Sequence, residues 1–375
     1  MKPYVVTILG IRPDFIRMKN ILNQLDSEPD FEHISIHTGQ HYDDVLYSNF
    51  LRELQIRKPN FLLEAGKKSS TQYEQISYLS KKVPDLLYRT LTSNRKHIIL
   101  FLGDSHTSML APVLKKENFN IGHIEAGMRS YDFRMPEEIN RIACDHSSSL
   151  LFCYHQNYKN NLLQENIKSE RIFVVGNTIK EIVEKSKNEI PQLYHESPYI
   201  LADIHRNENI SKTEKLYSIL IFLNQVGLYF NCNIYLTHFP RIQNSVVEIL
   251  RNNNPLLFSK IVLMSKETCG SYFKYLRFQM DSLFMISDSG TAQEEAPLLG
   301  TKVVVPRNFT ERNESCENNC SIMIGENFSL APNENEKVIK KIEKFIKSKK
   351  KMKLDWLGDG KTSKSIINIL KEKLQ

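Results

Sequence analysis

Long apolar runs are missing from this 375-residue chain. Nothing approaches the roughly 18 continuous apolar residues that a membrane-spanning helix needs. Glycine and proline stand at 14 each, too few for a collagenous, linker-rich or low-complexity protein. The six cysteines (Cys144, Cys153, Cys232, Cys269, Cys316, Cys320) form no CxxC and are irregularly spaced. Free thiols in a reducing cytosol fit that usage, so a cytoplasmic location is expected. The 11 histidines include no HExxH, which leaves metal catalysis without support. GxxxxGK[ST] and GxGxxG are absent as well, against a P-loop NTPase and weakening a dinucleotide reading. The first apolar run, Tyr4 to Leu9, is strand-sized and lacks a cleavage-site pattern, so no signal peptide is expected.

What is present is a globular composition, 41% hydrophobic and 25% charged, with length enough for two domains at about 100–200 residues each. The net charge of +7 is unevenly placed. From Lys337 to the C-terminus 13 lysines face four acids, a local +9, while the preceding residues hold 37 basic and 39 acidic groups. No nucleic-acid module accompanies the basic end. The run Lys347–Lys353 reads as a solvated helix face rather than a patch for acidic lipid or polymer.

Along the chain short β-rich runs alternate with helical ones. Tyr4–Leu9 reads as a strand, and Phe15, Met18, Leu22 and Leu25 then form one apolar helix stripe behind Pro13. Strands are expected at His33–His37, Ile98–Leu102, Ile121–Glu125, Leu150–Cys153 and Arg171–Val175. Past Pro191, a plausible linker, they resume at Tyr199–Ala202, Ile234–Leu236, Ile261–Leu263, Leu283–Ile286 and Val303–Val305. Repeated βα units imply two open parallel sheets wound with helices. Ile366, Ile367, Leu370 and Leu374 share one face of a last helix, which should pack on a domain.

Polar and charged residues cluster just after these strands, where open α/β sheets bind ligands. Asp288-Ser289-Gly290 follows a strand and opens a helix, a turn suited to an anion. Arg12 and Arg312 stand in polar loops, and a guanidinium fork suits diphosphate. Asp104 and Glu125 end apolar strands, and Glu137 and Glu138 follow Pro136 at a helix start. A carboxylate partly withdrawn from water acquires the raised pKa that acid/base work near neutrality requires. His205 could donate to phosphate or shuttle a proton.

Five strings, in order, carry a resemblance: Gly10-Ile11-Arg12-Pro13-Asp14, Thr38-Gly39-Gln40-His41, Gly103-Asp104, His123-Ile124-Glu125-Ala126-Gly127-Met128-Arg129 and Pro136-Glu137-Glu138-Ile139-Asn140-Arg141. Gly176-Asn177-Thr178, His205-Arg206, Asp288-Ser289-Gly290 through Pro297, and Thr310-Glu311-Arg312 continue it. The chain resembles the non-hydrolysing UDP-N-acetylglucosamine 2-epimerases from about residue 5 to 313. The resemblance implies an α/β, GT-B-like fold: two Rossmann-like doubly wound parallel-sheet domains facing a central cleft. The first would span residues 1–176, with a helix at 358–375 packing back on it, and a nucleotide-binding second would span 177–357. It also implies inversion at C2 of a UDP-2-acetamido sugar, typically UDP-GlcNAc to UDP-ManNAc, by anti elimination of UDP through a 2-acetamidoglucal and re-addition. No cofactor and no metal are expected, nor nucleic acid or membrane insertion; the expected partners are the UDP-sugar and a second copy in a homodimer.

By resemblance Asp104, Glu125, Glu137 and His205 are the catalytic candidates. Arg12, Arg17, Ser289, Gly290 and Arg312 would hold diphosphate, Glu295 the ribose, and Tyr275 would pack on uracil. Gln40, His41, Arg141, Arg206 and His238 complete the expected substrate-binding set. The pattern departs from the family's at Arg17, where lysine is common, at Thr291, where a second glycine often follows Ser-Gly, and at Asn313, which replaces a proline. A hydrolysing epimerase releasing ManNAc and UDP, a GT-B glycosyltransferase and a non-catalytic UDP-sugar-binding protein remain the alternatives.

Overall fold

The structure, a computed structural model, describes residues 1–39, 44–68, 71–92, 94–193, 197–210, 212–237, 246, 249, 252 and 258–374. Gln40, His41 and His238 lie outside the described residues. The chain divides into two compact units, Met1–Glu184 with Asp355–Gln375, and Lys185–Leu354.

Unit 1 is built on seven strands: β1 (Tyr4–Leu9), β2 (Glu32–His37), β3 (Phe61–Leu62), β4 (His97–Leu102), β5 (Ile121–Ile124), β6 (Leu150–Cys153) and β7 (Ile172–Val174). Their order is β3-β2-β1-β4-β5-β6-β7, and all pairs are parallel. β1 and β5 are buried along their whole length and β4 along all but its first residue, which is why they read as continuous apolar runs rather than alternating ones. Winding runs outward from β1 to β3 and restarts at β4 on the other side of β1, so the switch point lies between β1 and β4.

Unit 2 repeats the plan with β8 (Tyr199–Asp203), β9 (Asn233–Leu236), β10 (Ile261–Leu263), β11 (Met285–Ser287), β12 (Val303–Val305) and β13 (Ser321–Met323). The order β10-β9-β8-β11-β12-β13 is again wholly parallel. Its switch point is β8/β11. Ile200 and Ala202 of β8 enter one apolar cluster with Leu220, Leu223 and Ile342; Tyr199 and Leu201 enter another with Ala292 and Ala296. Alternate residues therefore meet helices on opposite faces, and the sheet is doubly wound. Both units have the α/β, Rossmann-like, GT-B-like class that the resemblance implies.

The last helix, Thr362–Leu374, packs on the Arg12–Ser27 helix through buried Ile366, Ile367, Leu370 and Leu374. Gln24 Nε2 donates to Ser363 Oγ at 2.6 Å, and Lys371 pairs with Glu28 at 2.8 Å.

Two expectations need correction. Lys347–Lys353 is not a helix face: the helix Glu336–Ile346 ends before it, and the lysines continue as exposed coil. The Lys302 ammonium donates to the carbonyls of Phe345 and Ser348 at 2.8 and 3.3 Å, capping the terminal carbonyls that a further turn would have used. Glu125 does not belong to a strand either; β5 stops at Ile124 and Glu125 turns into the left-handed region at φ 73°.

Candidate active site

In unit 1 the loops after β1, β4 and β5 meet. Asp14, in the first turn of the Arg12–Ser27 helix, reaches back to accept from the amides of Gly10 and Ile11 at 2.8 and 3.0 Å. This fixes the β1 loop and presents Arg12, whose guanidinium lies 4.4 Å from the centre of the Phe50 ring. Burial lifts the Asp14 carboxyl to about 7 against the lowering effect of those two amides and of Arg17.

Arg17, one helical turn further, donates to the Glu125 carboxylate, both groups buried. A non-glycine residue with positive φ is uncommon and marks a functional constraint when it sits among charged groups. Gly103, after β4, also has positive φ (67°), and a Cβ there would stand 3.7 Å from both Arg17 Nη1 and Glu125 Oε1. The tight turn thus brings the backbone against that ion pair and delivers Asp104 next to it. Arg141 pairs with the half-buried Asp104 carboxylate, and Asn140 donates to the Asp104 carbonyl at 2.9 Å.

The helix Pro136–Ser147 supplies both of those residues. Of its two first-turn acids, Glu138 is fully buried and accepts from the amides of Ser130 and Tyr131, from Ser130 Oγ and from Arg141 at 2.9–3.2 Å. It holds the loop ahead of the helix in place. Glu137 stays half-buried beside it.

In unit 2 the switch-point loops bond to each other. The amides of His205 and Arg206, after β8, donate to the carboxylate of Asp288, after β11, at 3.1–3.2 Å. Asn209 adds a bond to the same carboxylate at 2.9 Å. His205 Nδ1 lies 2.9 Å from Asp203, whose carboxylate also accepts from Tyr275 and Thr237 at 3.0 Å each. Burial alone would make His205 less basic; the carboxylates of Asp203 and Asp288 outweigh it and push its pKa up to about 9. The ring is a cation at neutral pH, half-exposed at the strand ends.

Beside it lies an arginine cluster. Glu311 takes Arg206 at 3.0 Å, Arg307 at 3.2 Å and Arg312 at 2.5 Å, and Arg312 pairs again with Glu294 at 3.1 Å. Three guanidiniums and the His205 cation stand against four carboxylates, Glu294, Glu311, Asp203 and Asp288, so what suits an anion here is the set of guanidinium N–H forks rather than an excess of positive charge. Gly290 makes the packing possible: a Cβ there would overlap Arg312 Nη1 and stand 2.6 Å from Arg312 Cζ. Ser289 is half-buried in the same turn.

Arg12, Arg17, Asp104, Glu125, Glu137 and Arg141 belong to unit 1, where ion pairs join Arg17 to Glu125 and Arg141 to Asp104; His205, Arg206, Tyr275, Ser289, Gly290, Glu295 and Arg312 belong to unit 2. Glu295 is buried, accepting from Tyr272 at 2.7 Å and Gln279 at 2.5 Å. Tyr275 gives its hydroxyl to Asp203. Asp203, Glu294, Arg307 and Glu311 were not among the expected site residues, although Glu294 and Glu311 stand inside the strings that carry the resemblance; for Arg307 the only signal was a place after β12. Among the described residues, no three or more His, Cys, Asp or Glu side chains are grouped to hold a metal ion, and no helix is long and apolar enough to cross a membrane.

Comparison with known proteins bears on these clusters. The family model described as UDP-N-acetylglucosamine 2-epimerase matches residues 23–371. A UDP-N-acetylglucosamine 2-epimerase of Methanocaldococcus jannaschii is 32% identical, over 97% of this chain and 97% of its own length. A UDP-2,3-diacetamido-2,3-dideoxy-D-glucuronate 2-epimerase of Pseudomonas aeruginosa is 29% identical, over 86% of this chain and 88% of its own. The crystal structure of the M. jannaschii UDP-GlcNAc 2-epimerase in complex with UDP-GlcNAc and UDP superposes with a TM-score of 0.86 at 30% identity, covering 98% of this chain and 99% of that one.

Proposed function

The chain belongs to the UDP-N-acetylglucosamine 2-epimerase family, and from that premise we propose that it inverts C2 of a UDP-2-acetamido hexose without hydrolysis. UDP-GlcNAc and UDP-ManNAc are the reference pair. The name of the Pseudomonas relative supports stating the substrate as a class, since that enzyme acts on a diacetamido glucuronate. The observation that carries the reading is the pair Asp104 and Glu125 on neighbouring parallel strand ends, each matched to its own arginine, Arg141 and Arg17.

Inversion needs a proton removed from one face of C2 and another delivered to the opposite face. The C2 proton is weakly acidic, so cleavage of the C1–O bond runs ahead and C1 acquires positive character that nearby carboxylates stabilise. The C1–O electron pair leaves with UDP, the C2–H pair becomes the C1–C2 double bond, and a carboxylate of unit 1 takes the proton. Re-addition of UDP with protonation from the other face gives the epimer. Asp104, Glu125 and Glu137 are the acid/base and electrostatic groups in this proposal. Arg206, Arg312 and the backbone at Ser289-Gly290 take the diphosphate, with the cationic His205 opposing the charge that builds on the leaving UDP. Glu295 and Tyr275 belong to nucleoside recognition.

Asp104→Asn and Glu137→Gln test the assignment. Each should lower turnover by about a hundredfold or more, the scale of lost acid/base catalysis, with the UDP dissociation constant held within about twofold. Chromatography of a UDP-HexNAc panel reads the products: a UDP-linked epimer mixture is expected. Wild-type rates in either variant remove that carboxylate from the mechanism, and accumulation of free sugar with UDP contradicts the non-hydrolysing course.

A further inference from the structure

Behind the carboxylates of unit 1 lies a buried charged chain that the proposed chemistry does not use. His123 on β5 is fully buried. Its Nδ1 lies 2.7 Å from Asp145 Oδ1, and its Nε2 lies 2.8 Å from the Gly103 carbonyl oxygen. Asp145 Oδ2 accepts from the Gly127 amide at 3.1 Å and pairs with Arg129 at 2.8 Å. Arg129 then forms a two-pronged pair with Glu165, both distances 2.7 Å.

We propose that His123 and Asp145 are positioning residues: a buried imidazolium–carboxylate brace that pins the loop carrying Asp104 and the loop carrying Glu125 to one helix. This rests on the reading of Asp104 and Glu125 as the groups that work on C2.

The protonation state follows from the partners. A carboxylate and a carbonyl only accept hydrogen bonds, and a neutral imidazole has a single N–H. Only the doubly protonated ring satisfies both, and a mismatch in a water-free interior is costly. Burial opposes the charge, while Cys144 and Asp145 on the Pro136–Ser147 helix favour it strongly enough to hold the ring's pKa well above the usual value. Arg129, from the loop after β5, faces the far oxygen of Asp145 and pairs in turn with Glu165, and the Arg17–Glu125 pair stands beside Gly103 at the other end of the brace.

The geometry explains why a brace is needed. Gly103, Glu125 and Gly127 all have positive φ, at 67°, 73° and 80°. The two glycines adopt that region freely and are not held in one shape by their own sterics, while Glu125 keeps it only because its surroundings determine it. Gly103 immediately precedes Asp104, and Gly127 closes the Glu125-Ala126-Gly127 turn. The brace bonds to both. The helix that carries Asp145 also carries Arg141, so the support behind Asp104 and its ion-pair partner belong to one rigid element. A shift of about an ångström at an acid/base group can cost a hundredfold in rate.

Two measurements on the full chain test this. The first is ring-nitrogen NMR of protein carrying 15N-histidine, with His123 identified by through-bond correlation. Two N–H-bearing nitrogens at His123 up to pH 8 are expected, and a singly protonated ring at neutral pH overturns the brace. The second is the kinetics of His123→Gln, which can serve only one of the two acceptors. Its kcat should fall about tenfold to a hundredfold, with KM for the UDP-sugar and the affinity for UDP staying within about twofold. An unchanged kcat, or a change in KM alone, rejects the positioning role. Should the variant fail to fold, the wild-type ring spectrum still decides. A wild type inert toward every UDP-HexNAc overturns the catalytic reading separately, whatever the ring spectrum shows.

Discussion

Gly290 is where one added methyl group discriminates most between a structural and a nucleotide-binding role for the arginine cluster. Replacing Arg312 itself is a poor probe, because the buried carboxylates of Glu294 and Glu311 would lose a partner. Breaking such a pair costs roughly 3–5 kcal/mol of stability and would blur any effect on binding. Gly290→Ala keeps every charge but crowds both the Arg312 guanidinium and Glu311 Oε1, which would stand 2.7 Å from the new Cβ, so the buried pair shifts without losing either partner. Calorimetric titration should show UDP binding weakened about tenfold, some 1.4 kcal/mol; unaltered affinity would place the diphosphate elsewhere. Arg312 illustrates what a string of residues conceals. The sequence marks it as a charged residue in a polar loop, yet it is almost fully buried between acids, one of them 18 positions away. Burial of that kind depends on which loops the sheet brings together, and no local pattern encodes it.

The elements that were hardest to read are the shortest. β3 and β13 hold two and three residues and lie at opposite ends of their own sheets' strand orders. Length alone does not decide this, because β7 and β10 are three-residue edge strands that the sequence does mark; those two are wholly apolar, whereas β3 has only two residues and β13 opens on Ser321. The lysine stretch after Ile346 misled for another reason: helix propensity favours lysine, while the decision to stop rests on Lys302, 44 residues earlier. The terminal helix was readable, because four apolar residues on one stripe need a partner surface. Its packing predicts a stability effect. Leu370 is completely buried, so Leu370→Ala should cost about 2–5 kcal/mol in the unfolding of unit 1. Trp356, the single tryptophan and itself buried in unit 1, reports that transition by fluorescence during denaturant unfolding. A midpoint equal to the wild type's would mean that the helix is not integral to the unit.

Across the whole molecule one plan is used twice. Each parallel sheet reverses its winding once, at β1/β4 and at β8/β11, and the charged clusters gather at the loops following those strands and their next neighbours, β5 and β12. This is the physical reason that so much of the site was legible: alternating β and helical patterns locate the strand ends, and strand ends locate the chemistry. The resemblance then added identities that spacing alone leaves open. What stayed hidden are the long-range pairs that set each group's charge, such as His205 with Asp203 and Asp288 or Arg17 with Glu125. The division of labour proposed for the two units reduces to one event, the breaking and remaking of a C2–H bond. Proton NMR of UDP-GlcNAc and related UDP-HexNAc sugars, incubated with the wild-type protein in deuterated buffer, observes that event directly. The account predicts that the H2 signal disappears while a UDP-linked epimer grows in, carrying deuterium at C2; an epimer that keeps its original C2 proton, or a full panel in which no C2 exchanges, would contradict it.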